Sequence, residues 1–411
     1  MKSSKMQSNF SASKCTSITS QLGSRTRKGE KNMEVTQIAE IVNETTAQIT
    51  GTEPLADLDL NKIVDAGAEV LDTDKVDHYV RSLLDRIGKV VFVTRPYTGG
   101  TPSVMMDSWE YAAVLEKIQY EGLPEAEDND TWDLQDGRSY DPNIFYKPTV
   151  SAKFFSERRT FEVPMSFAQR QVKSAFTSGG QVQAFFAMIE TAISNGMTVK
   201  MDSLIEATIN NFIATTYGEG VANARVVKLL TDYAAFTGQE APSAANALGT
   251  PEFVRFMSFA MKRKASQMTK LSTLFNAGGK YRHTPTDRLH VILHADAAAA
   301  ADAYLQSDTY HNEFVSLPSA EKVPFWQASG NSFAWADTSK IIVTPRGENS
   351  PVEIGNIVGV MFDREALGVS NLDRRVTTNW NPKGEFTNNW YKFDAGYFND
   401  FNENGVIFVL A

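Results

Sequence analysis

The chain has 411 residues, of which 42% are hydrophobic and 22% are charged, so it is long enough for two or more lobes with buried cores. Its formal net charge of -9 argues against a protein that wraps nucleic acid tightly, because that function needs clustered lysine and arginine. The single cysteine, Cys15, excludes an intrachain disulfide and zinc sites of the multi-cysteine type.

Residues 1–32 carry seven lysines and arginines, one acid and almost no large apolar side chains, a composition typical of a disordered extension. An amphipathic pattern begins directly after Met33, so we expect Met33 to be the natural start. The alternative is a basic arm that contacts DNA or a scaffold. The chain has neither a membrane-spanning apolar run nor a secretory signal, which predicts a soluble intracellular protein.

Periodic apolar residues predict a helix over residues 33–49, ended by Gly51 and Pro54, and a second helix over residues 74–87. We expect Gly88 to end this second helix. The apolar residues 90–93 that follow are predicted to form a strand.

Residues 96–164 form a long segment that is polar and rich in glycine and proline but carries many aromatic side chains, such as Trp109, Trp132 and Phe155. A loop of this length is uncommon within a compact domain. We therefore interpret the segment as an extended β-arm whose apolar face is covered by a neighbouring subunit.

Apolar residues recur every three or four positions from 181 to 213, which predicts an amphipathic helix of about nine turns and a length of about 50 Å. Asn195-Gly196, near the middle, is where a bend is expected. A rod of this length must pack against a flat or elongated partner.

The remainder is predicted to be mixed α/β, without an internal repeat. Helices are expected over residues 251–275 and 296–305, and strands over residues 289–293, 341–343, 357–362, 374–380, 390–398 and 406–410.

Signatures of catalysis and cofactor binding are absent from the sequence, which contains neither G-x-G-x-x-G nor G-x-S-x-G. Gly278-Gly279-Lys280 lacks the upstream glycine and the hydroxyl residue of a phosphate-binding loop. We therefore assign no catalytic, cofactor-binding or metal-binding residue, and we expect neither a cofactor nor an enzymatic activity.

His290 and His294 have the spacing of a metal-ligand pair, but they flank an apolar strand in which this spacing also places both on one sheet face. No third ligand is near in sequence, so a sheet-face pair is the preferred interpretation. Lys262-Arg263-Lys264 indicates a solvated helix face, with an inter-subunit salt bridge as the alternative. A calcium loop at Glu125, Glu127, Asp128 and Asp130 would need EF-hand spacing, so this cluster indicates a solvated arm tip.

The order of these elements resembles the capsid fold of tailed phages, the Hong Kong 97 type. Two segments are similar to capsid proteins of small short-tailed phages of the phi-twenty-nine type: VRSLLDRIGKVV at residues 80–91 and LHVILHAD at residues 289–296. Residues 357–375 and 391–410 fall where that family has its final strands. The resemblance covers nearly all of residues 33–411.

This resemblance implies an α+β fold with an N-arm, an extended E-loop, a spine helix with a P-domain sheet, and an α/β A-domain. The implied segments are a disordered basic extension (1–32), the N-arm and linking helix (33–88), the E-loop (89–165), the spine helix (166–220), the A-domain (221–375) and C-terminal P-domain strands (376–411). Some relatives carry a further immunoglobulin-like domain after the last strand, and none is expected here.

The implied function is that of a major capsid protein, which self-assembles through pentamers and hexamers into an icosahedral or prolate head. The implied partners are other copies of the chain, a scaffolding protein, a portal, and double-stranded DNA enclosed without sequence-specific binding; no membrane is involved. The protein is expected in the virion, and in the host cytoplasm during assembly. The alternatives are an encapsulin-type nanocompartment shell and a soluble enzyme.

Some relatives form a covalent crosslink between an E-loop lysine and a P-domain asparagine. Here the arm contains Lys117, Lys147 and Lys153. The sequence places no catalytic acid beside these lysines, so no crosslink is expected.

Overall fold

The computed structural model describes residues 34–55, 59–72, 75–94, 104–106, 115–120, 135–139, 143, 145, 147, 149–219, 224–306, 320–329, 334–337, 340–345 and 349–411. The predicted basic extension at residues 1–32 and the expected start at Met33 lie outside these ranges. Within the described ranges, no helix combines the length and the hydrophobicity needed to cross a bilayer.

The described residues form helices and strands in an α+β arrangement. The helices are α1 (Val35–Thr50), α2 (Leu60–Leu71), α3 (Val76–Thr94), α4 (Gln169–Ala175), α5 (Gly179–Gly218), α6 (Leu229–Thr237), α7 (Pro251–Met268) and α8 (Ala295–Gln306). The strands are β1 (Met105–Met106), β2 (Leu115–Tyr120), β3 (Val150–Phe155), β4 (Arg158–Ala168), β5 (Val226–Lys228), β6 (Leu289–His294), β7 (Glu321–Val323), β8 (Gln327–Ser329), β9 (Ala334–Asp337), β10 (Ile341–Val343), β11 (Val352–Ile354), β12 (Ile357–Asp363), β13 (Leu367–Asn381), β14 (Phe386–Asn399) and β15 (Gly405–Val409).

Most of these strands belong to two larger sheets. One has the order β1-β13-β14-β4, and the other has the order β5-β15-β12-β6-β7. Alternate residues of the five-stranded sheet enter different cores: Ile292 and Val360 join the core that contains α5, whereas Val291 and Met361 join the core that contains α7. This alternation follows from the two-residue period of a strand, and it places the five-stranded sheet between two layers of helices.

The predicted long helix is confirmed as α5, which is 40 residues long and therefore spans about 60 Å. It contacts α3 and the four-stranded sheet through β4, β13 and β14, and so has the flat partner that a long rod requires. The helix continues through Asn195-Gly196. A side chain at Gly196 would lie 2.7 Å from Val163 on β4, so this glycine permits close packing of helix on sheet; the expected bend stays a prediction.

The prediction that Gly88 ends a helix is wrong, as is the predicted strand over residues 90–93, because α3 continues to Thr94. The glycine has a packing role instead. A Cβ atom at position 88 would lie 2.5 Å from Cε1 of Tyr391 and 2.9 Å from Cγ2 of Val376. The absence of a side chain therefore lets α3 approach the four-stranded sheet.

We expect Gly88→Ala to destabilise the subunit by about 2 kcal/mol, because the added methyl group overlaps the buried ring of Tyr391. Urea denaturation measures the effect. The matched control is Gly180→Ala in the first turn of α5, where no atom lies within 4 Å of the new methyl group. The control is expected to be neutral or slightly stabilising, since alanine is the better helix former. Equal stabilities of the two variants would contradict close packing at Gly88.

Two further helices differ from prediction, whereas three predicted strands are present. Helix α2 was not predicted, although Asp59 caps it by accepting a hydrogen bond from the backbone N–H of Asn61 at 3.1 Å. Helix α7 ends at Met268 rather than at 275, because the chain turns to form a β-bridge between Ser272 and Arg282. The strands predicted over residues 289–293, 341–343 and 357–362 are present as β6, β10 and β12.

Several elements cross the predicted segment boundaries. Residues 89–94 of the predicted arm lie in α3, and its last part, in β4, pairs with β14 in the four-stranded sheet. Strand β15 was grouped with the other C-terminal strands, but it pairs with β12 and β5 in the five-stranded sheet. Strand β13 crosses the predicted boundary between 375 and 376. The segment boundaries as a whole stay a prediction.

Candidate interaction site

Strands β2 and β3 form an antiparallel pair within the predicted arm, which we call the arm hairpin. Its register pairs Lys117 with Lys153, and Ile118 with Ala152. Directly paired residues of an antiparallel ladder lie on the same side of the sheet, and successive residues alternate between sides. The arm hairpin therefore has two different faces, one with the two lysines and one with Ile118.

The lysine face packs against the rest of the same chain. There, both lysines contact the buried carboxylate of Asp400. Lys153 Nζ donates to Asp400 Oδ1 at 2.8 Å, and Lys117 Nζ donates to Asp400 Oδ2 at 3.3 Å and to the backbone oxygen of Glu365 at 2.5 Å. Asp400 has no exposed side-chain surface, and the Lys117 side chain is 12% exposed. Burying a charge is costly unless it is paired, so these contacts specify where the arm hairpin attaches.

A second carboxylate, Glu403, extends this cluster. Its Oε1 atom accepts a hydrogen bond from Gln119 Nε2 at 3.2 Å and lies 3.9 Å from Lys117 Nζ. Its Oε2 atom lies 3.3 Å from Arg282 Nε. We call Lys117, Gln119, Lys153, Asp400 and Glu403 the anchor cluster. It joins both strands of the arm hairpin to the turn between β14 and β15.

The two carboxylates of the anchor cluster have opposite pKa shifts. Burial raises the pKa of Asp400, but the hydrogen bond from Lys153 and the charges of Lys117 and Lys153 outweigh burial and hold that pKa below its usual range. Burial also raises the pKa of Glu403, and there Lys117 and Arg282 offset only part of the rise. Asp400 is consequently the stable anion to which the lysines bind.

Aromatic contacts support the same attachment. The rings of Phe155 on β3 and Phe398 on β14 have centroids 5.1 Å apart, and Lys117 Nζ lies 5.4 Å from the centre of the Phe398 ring. The ring of Phe401, in the turn after β14, stacks on Phe212 of α5 with centroids 5.6 Å apart. The turn that holds Asp400 is thus fixed on the long helix, and the arm hairpin is fixed on the turn.

The long helix also contains an ionisable group with a shifted pKa, Glu206. Burial and, to a smaller extent, the charge of Asp202 raise the pKa of Glu206 from 4.5 to about 8. The folded state therefore favours the protonated acid, and its stability falls as the pH rises from about 4.5 to about 8.

We expect Glu206→Gln to make the isolated subunit more stable than the wild type at pH 9, with the difference vanishing near pH 4.5. Glutamine has the shape of the protonated acid and cannot ionise, so it lacks the penalty that the wild type acquires in that window. Urea denaturation at both pH values measures this. A difference that is the same at both pH values would contradict a raised pKa.

The opposite face of the arm hairpin is exposed to solvent and mostly apolar, although the exposed Glu116 also lies on it. Ile118 is 70% exposed, Phe154 is 62% exposed and Val150 is 57% exposed. Phe145, further along the arm, is also exposed. Scattered exposed apolar residues are common on soluble proteins, but a contiguous group on one sheet face indicates an interaction site. We predicted that the apolar face of the arm is covered by something outside the arm. That prediction applies to this exposed face, because the same chain already covers the lysine face.

The remaining residues singled out in the sequence lie elsewhere. His290 and His294 occur on β6, where the first stacks on Phe362 at 5.9 Å between ring centroids and the second on Trp326 at 6.4 Å. Burial lowers the pKa of His290. Both partner rings belong to the core that contains α5, as the sheet-face interpretation requires. No group of three metal-ligating side chains occurs among the residues that could be placed.

Sequence reasoning brought Lys117 and Lys153 into consideration but missed Asp400 and Glu403. The acids follow the lysines by more than 240 residues, so no local pattern links them. Lys147 is exposed and lies outside the anchor cluster. The acidic group Glu125, Glu127, Asp128 and Asp130 lies outside the described residues.

Comparison with known proteins gives a family match over most of the chain. The family model for the Phi29-like phage major capsid protein matches residues 38–409. No curated protein matches the chain.

Solved phage structures are similar to the chain at low sequence identity. The capsid structure of Staphylococcus phage Andhra is 8% identical, covering 78% of this chain and 86% of that chain with a TM-score of 0.49. A structure from native bacteriophage P68 is 9% identical, covering 77% and 86% with a TM-score of 0.48. The capsid structure of cyanophage P-SCSP1u is 10% identical, covering 77% and 90% with a TM-score of 0.41.

Proposed function

Because the chain belongs to the family of Phi29-like phage major capsid proteins, we propose that its copies assemble into the closed shell of a phage head around double-stranded DNA. The family match confirms the resemblance noted in the sequence and the capsid fold that the resemblance implies. It does not favour the nanocompartment alternative. The family is one of structural proteins, and we infer that the chain acts by assembly rather than by catalysis.

The observation that carries this proposal is the two-faced arm hairpin. One face is fixed to its own subunit through Asp400, whereas the other exposes Ile118, Val150 and Phe154. A hairpin held rigidly at its base loses little conformational entropy when a neighbour covers its outer face. Repeated around a closed symmetric shell, contacts that are individually modest sum to a stable assembly.

The other partners follow from the proposed shell. We infer that subunits form pentamers and hexamers, that a scaffolding protein and a portal take part in assembly, and that the shell encloses DNA without reading its sequence. The net charge of -9 supports this last inference, because a subunit with net negative charge repels the phosphates of DNA. Assembly is proposed to occur in the host cytoplasm, and the mature protein to reside in the virion.

Negative-stain electron microscopy of the purified protein, alone and coexpressed with a scaffolding protein from the same phage, tests the proposal. We expect closed shells of uniform size in at least one of these preparations. Sedimentation velocity would show the same particles as a fast-moving species. A folded protein that remains a monodisperse monomer in both preparations would overturn the proposal.

We also expect assembled subunits to run as monomers on a denaturing gel. Formation of a Lys–Asn amide requires the lysine Nζ atom to meet an asparagine side chain, whereas the Nζ atoms of Lys117 and Lys153 lie 3.3 Å and 2.8 Å from the carboxylate of Asp400. Shells boiled in detergent provide the measurement, and unassembled subunits are the control. A ladder of covalent multimers from shells alone would contradict this expectation.

A further inference from the structure

Helices α6 and α7 pack against each other beside β5 and leave a cavity of about 290 Å³ between them. Asp232, Ala235 and Phe236 line it from α6, at intervals that place all three on one side of the helix. The lining residues of α7 are spaced in the same way: Phe256, Phe259, Ala260, Arg263 and Lys264. The cavity therefore lies between one face of each helix.

Two small side chains account for this space. Ala235 and Ala260 contribute only methyl groups to the cavity wall, whereas the residues around them are larger. Elsewhere in the helix pair, the buried ring of Tyr233 contacts Phe253 and Phe256, with centroids 5.6 Å and 5.5 Å apart. These aromatic contacts fix the separation of α6 and α7, so the helices do not close over the alanines. The resulting volume is near the lower end for sites that bind small molecules.

Two exposed phenylalanine rings form one wall of the cavity. Phe236 is 62% exposed and Phe259 is 43% exposed, and their ring centroids are 5.1 Å apart. Both rings contact Phe256, which is buried. Because this contact holds the exposed rings in place, a planar apolar group can stack on them with little loss of side-chain entropy.

The cavity also carries an excess of positive charge. Lys262-Arg263-Lys264 was interpreted as a solvated helix face, but Lys262 and Lys264 are half-buried, and of the three only Arg263 is exposed. The Nζ atom of Lys264 lies 5.6 Å from the centre of the buried Phe275 ring. Arg263 and Lys264 line the cavity together with one acid, Asp232, so two cations face one anion.

The acid neutralises this charge only in part. Burial lowers the pKa of Lys264, the charge of Asp232 opposes this effect, and the charge of Arg263 adds to it. A lowered pKa means that the ammonium form of Lys264 is disfavoured at this position, and a further negative charge in the cavity would stabilise it. The cavity therefore suits a ligand with one negative charge.

We propose that this cavity binds a small planar aromatic molecule with one negative charge, such as an aromatic carboxylate. Its ring lies on Phe236 and Phe259, and its carboxylate pairs with Arg263 and Lys264. This inference is separate from the proposed assembly, because these residues all belong to α6 and α7 of one subunit.

Isothermal titration calorimetry of the full-length subunit with 2-naphthoate tests the proposal. Two matched ligands separate its two features: 2-naphthamide keeps the aromatic ring without the charge, and cyclohexanecarboxylate keeps the charge without an aromatic ring. We expect each of them to bind at least about tenfold more weakly than 2-naphthoate. No binding of 2-naphthoate, or equal binding of the three ligands, would overturn the proposal.

Substitutions in the subunit test the same contacts. Arg263→Gln should weaken binding of 2-naphthoate about tenfold, and Phe236→Ala about fivefold. Both side chains are exposed, so their loss should leave the fold intact. Lys270→Gln is the matched control for charge, because Lys270 is exposed and lies beyond the end of α7, outside the cavity. Equal affinities of Arg263→Gln and Lys270→Gln would contradict the anion contact and overturn the proposal.

A further variant fills the cavity without removing a ring or a charge. Ala235 is exposed, so the fold should tolerate Ala235→Leu, and the larger side chain should weaken binding of 2-naphthoate at least about tenfold. Ala184→Leu, at an exposed position of α5, is the control and should bind like the wild type. Circular dichroism measures whether each variant is folded. Unchanged binding to a folded Ala235→Leu variant would place the ligand elsewhere and overturn the proposal.

Discussion

Replacing both Ile118 and Phe154 with serine is expected to abolish closed shells while leaving the subunit folded. The two side chains are 70% and 62% exposed, so the free subunit gains little stability from them. If a neighbouring subunit buries them, each contributes about 1.5 to 3 kcal/mol to the contact. Every subunit of a closed shell loses this contact energy in the variant. The summed loss is larger than a marginally stable assembly can tolerate.

Electron microscopy and sedimentation measure assembly, and circular dichroism with urea denaturation measures folding. Ile342→Ser on β10 is the matched control, because Ile342 is also apolar and 49% exposed but lies outside the arm hairpin. We expect this control to form shells. Normal shells from the Ile118→Ser, Phe154→Ser variant would refute the role given to the outer face.

Elements with long, regular periodicity could be predicted from the sequence. The helix α5 was placed within a few residues, because its apolar period is set by burial of one face. The short apolar runs of β10 and β12 also predicted strands at the correct positions. Gly51 was identified as the end of α1, and its φ of 77° is the left-handed conformation that ends helices. At Gly51 the conformational preference of glycine and the tertiary structure both end the helix.

Two of the errors occur where tertiary packing determines the role of a glycine. Gly88 was read as a stop, yet it lies inside α3 because the ring of Tyr391 occupies the space of a side chain. Gly67, in the unpredicted helix α2, lies in the same way against Tyr79 and Phe176. A glycine that ends a helix and a glycine that permits close packing look alike in a single sequence. The residue that packs against the second kind of glycine is distant along the chain.

The anchor cluster could be predicted only in part. Alternation within the arm places Lys117 and Lys153 on the same side of paired strands once the register is known, but the strands are 29 residues apart in sequence, and the sequence does not specify that register. Asp400 lies in a short turn among many acidic and amide residues, and nothing local marks it as buried. Its role emerges only when the sheets bring the arm and the C-terminus together.

Asp400→Asn is expected to destabilise the subunit by about 3 kcal/mol and to loosen the arm hairpin, because it removes the nearest carboxylate from the largely buried Lys117 and breaks the ion pair with Lys153. Asparagine preserves the shape of the side chain, so the change removes charge rather than packing. Hydrogen exchange is expected to increase in β2 and β3 and to change little in α5. The matched control is Asp373→Asn, which removes an exposed ion pair with Arg375 and should cost less than about 1 kcal/mol.

The effect of Asp400→Asn should also depend on pH in a defined direction. The pKa of Asp400 lies below 3.8 in the folded subunit, so its contribution to stability is complete above that value and is lost as the pH falls through the folded pKa. The difference in unfolding free energy between wild type and variant should therefore be constant near neutral pH and shrink in strong acid. A difference that persists unchanged at low pH would show that Asp400 acts through packing alone, and the arm would then need another explanation for its fixed position.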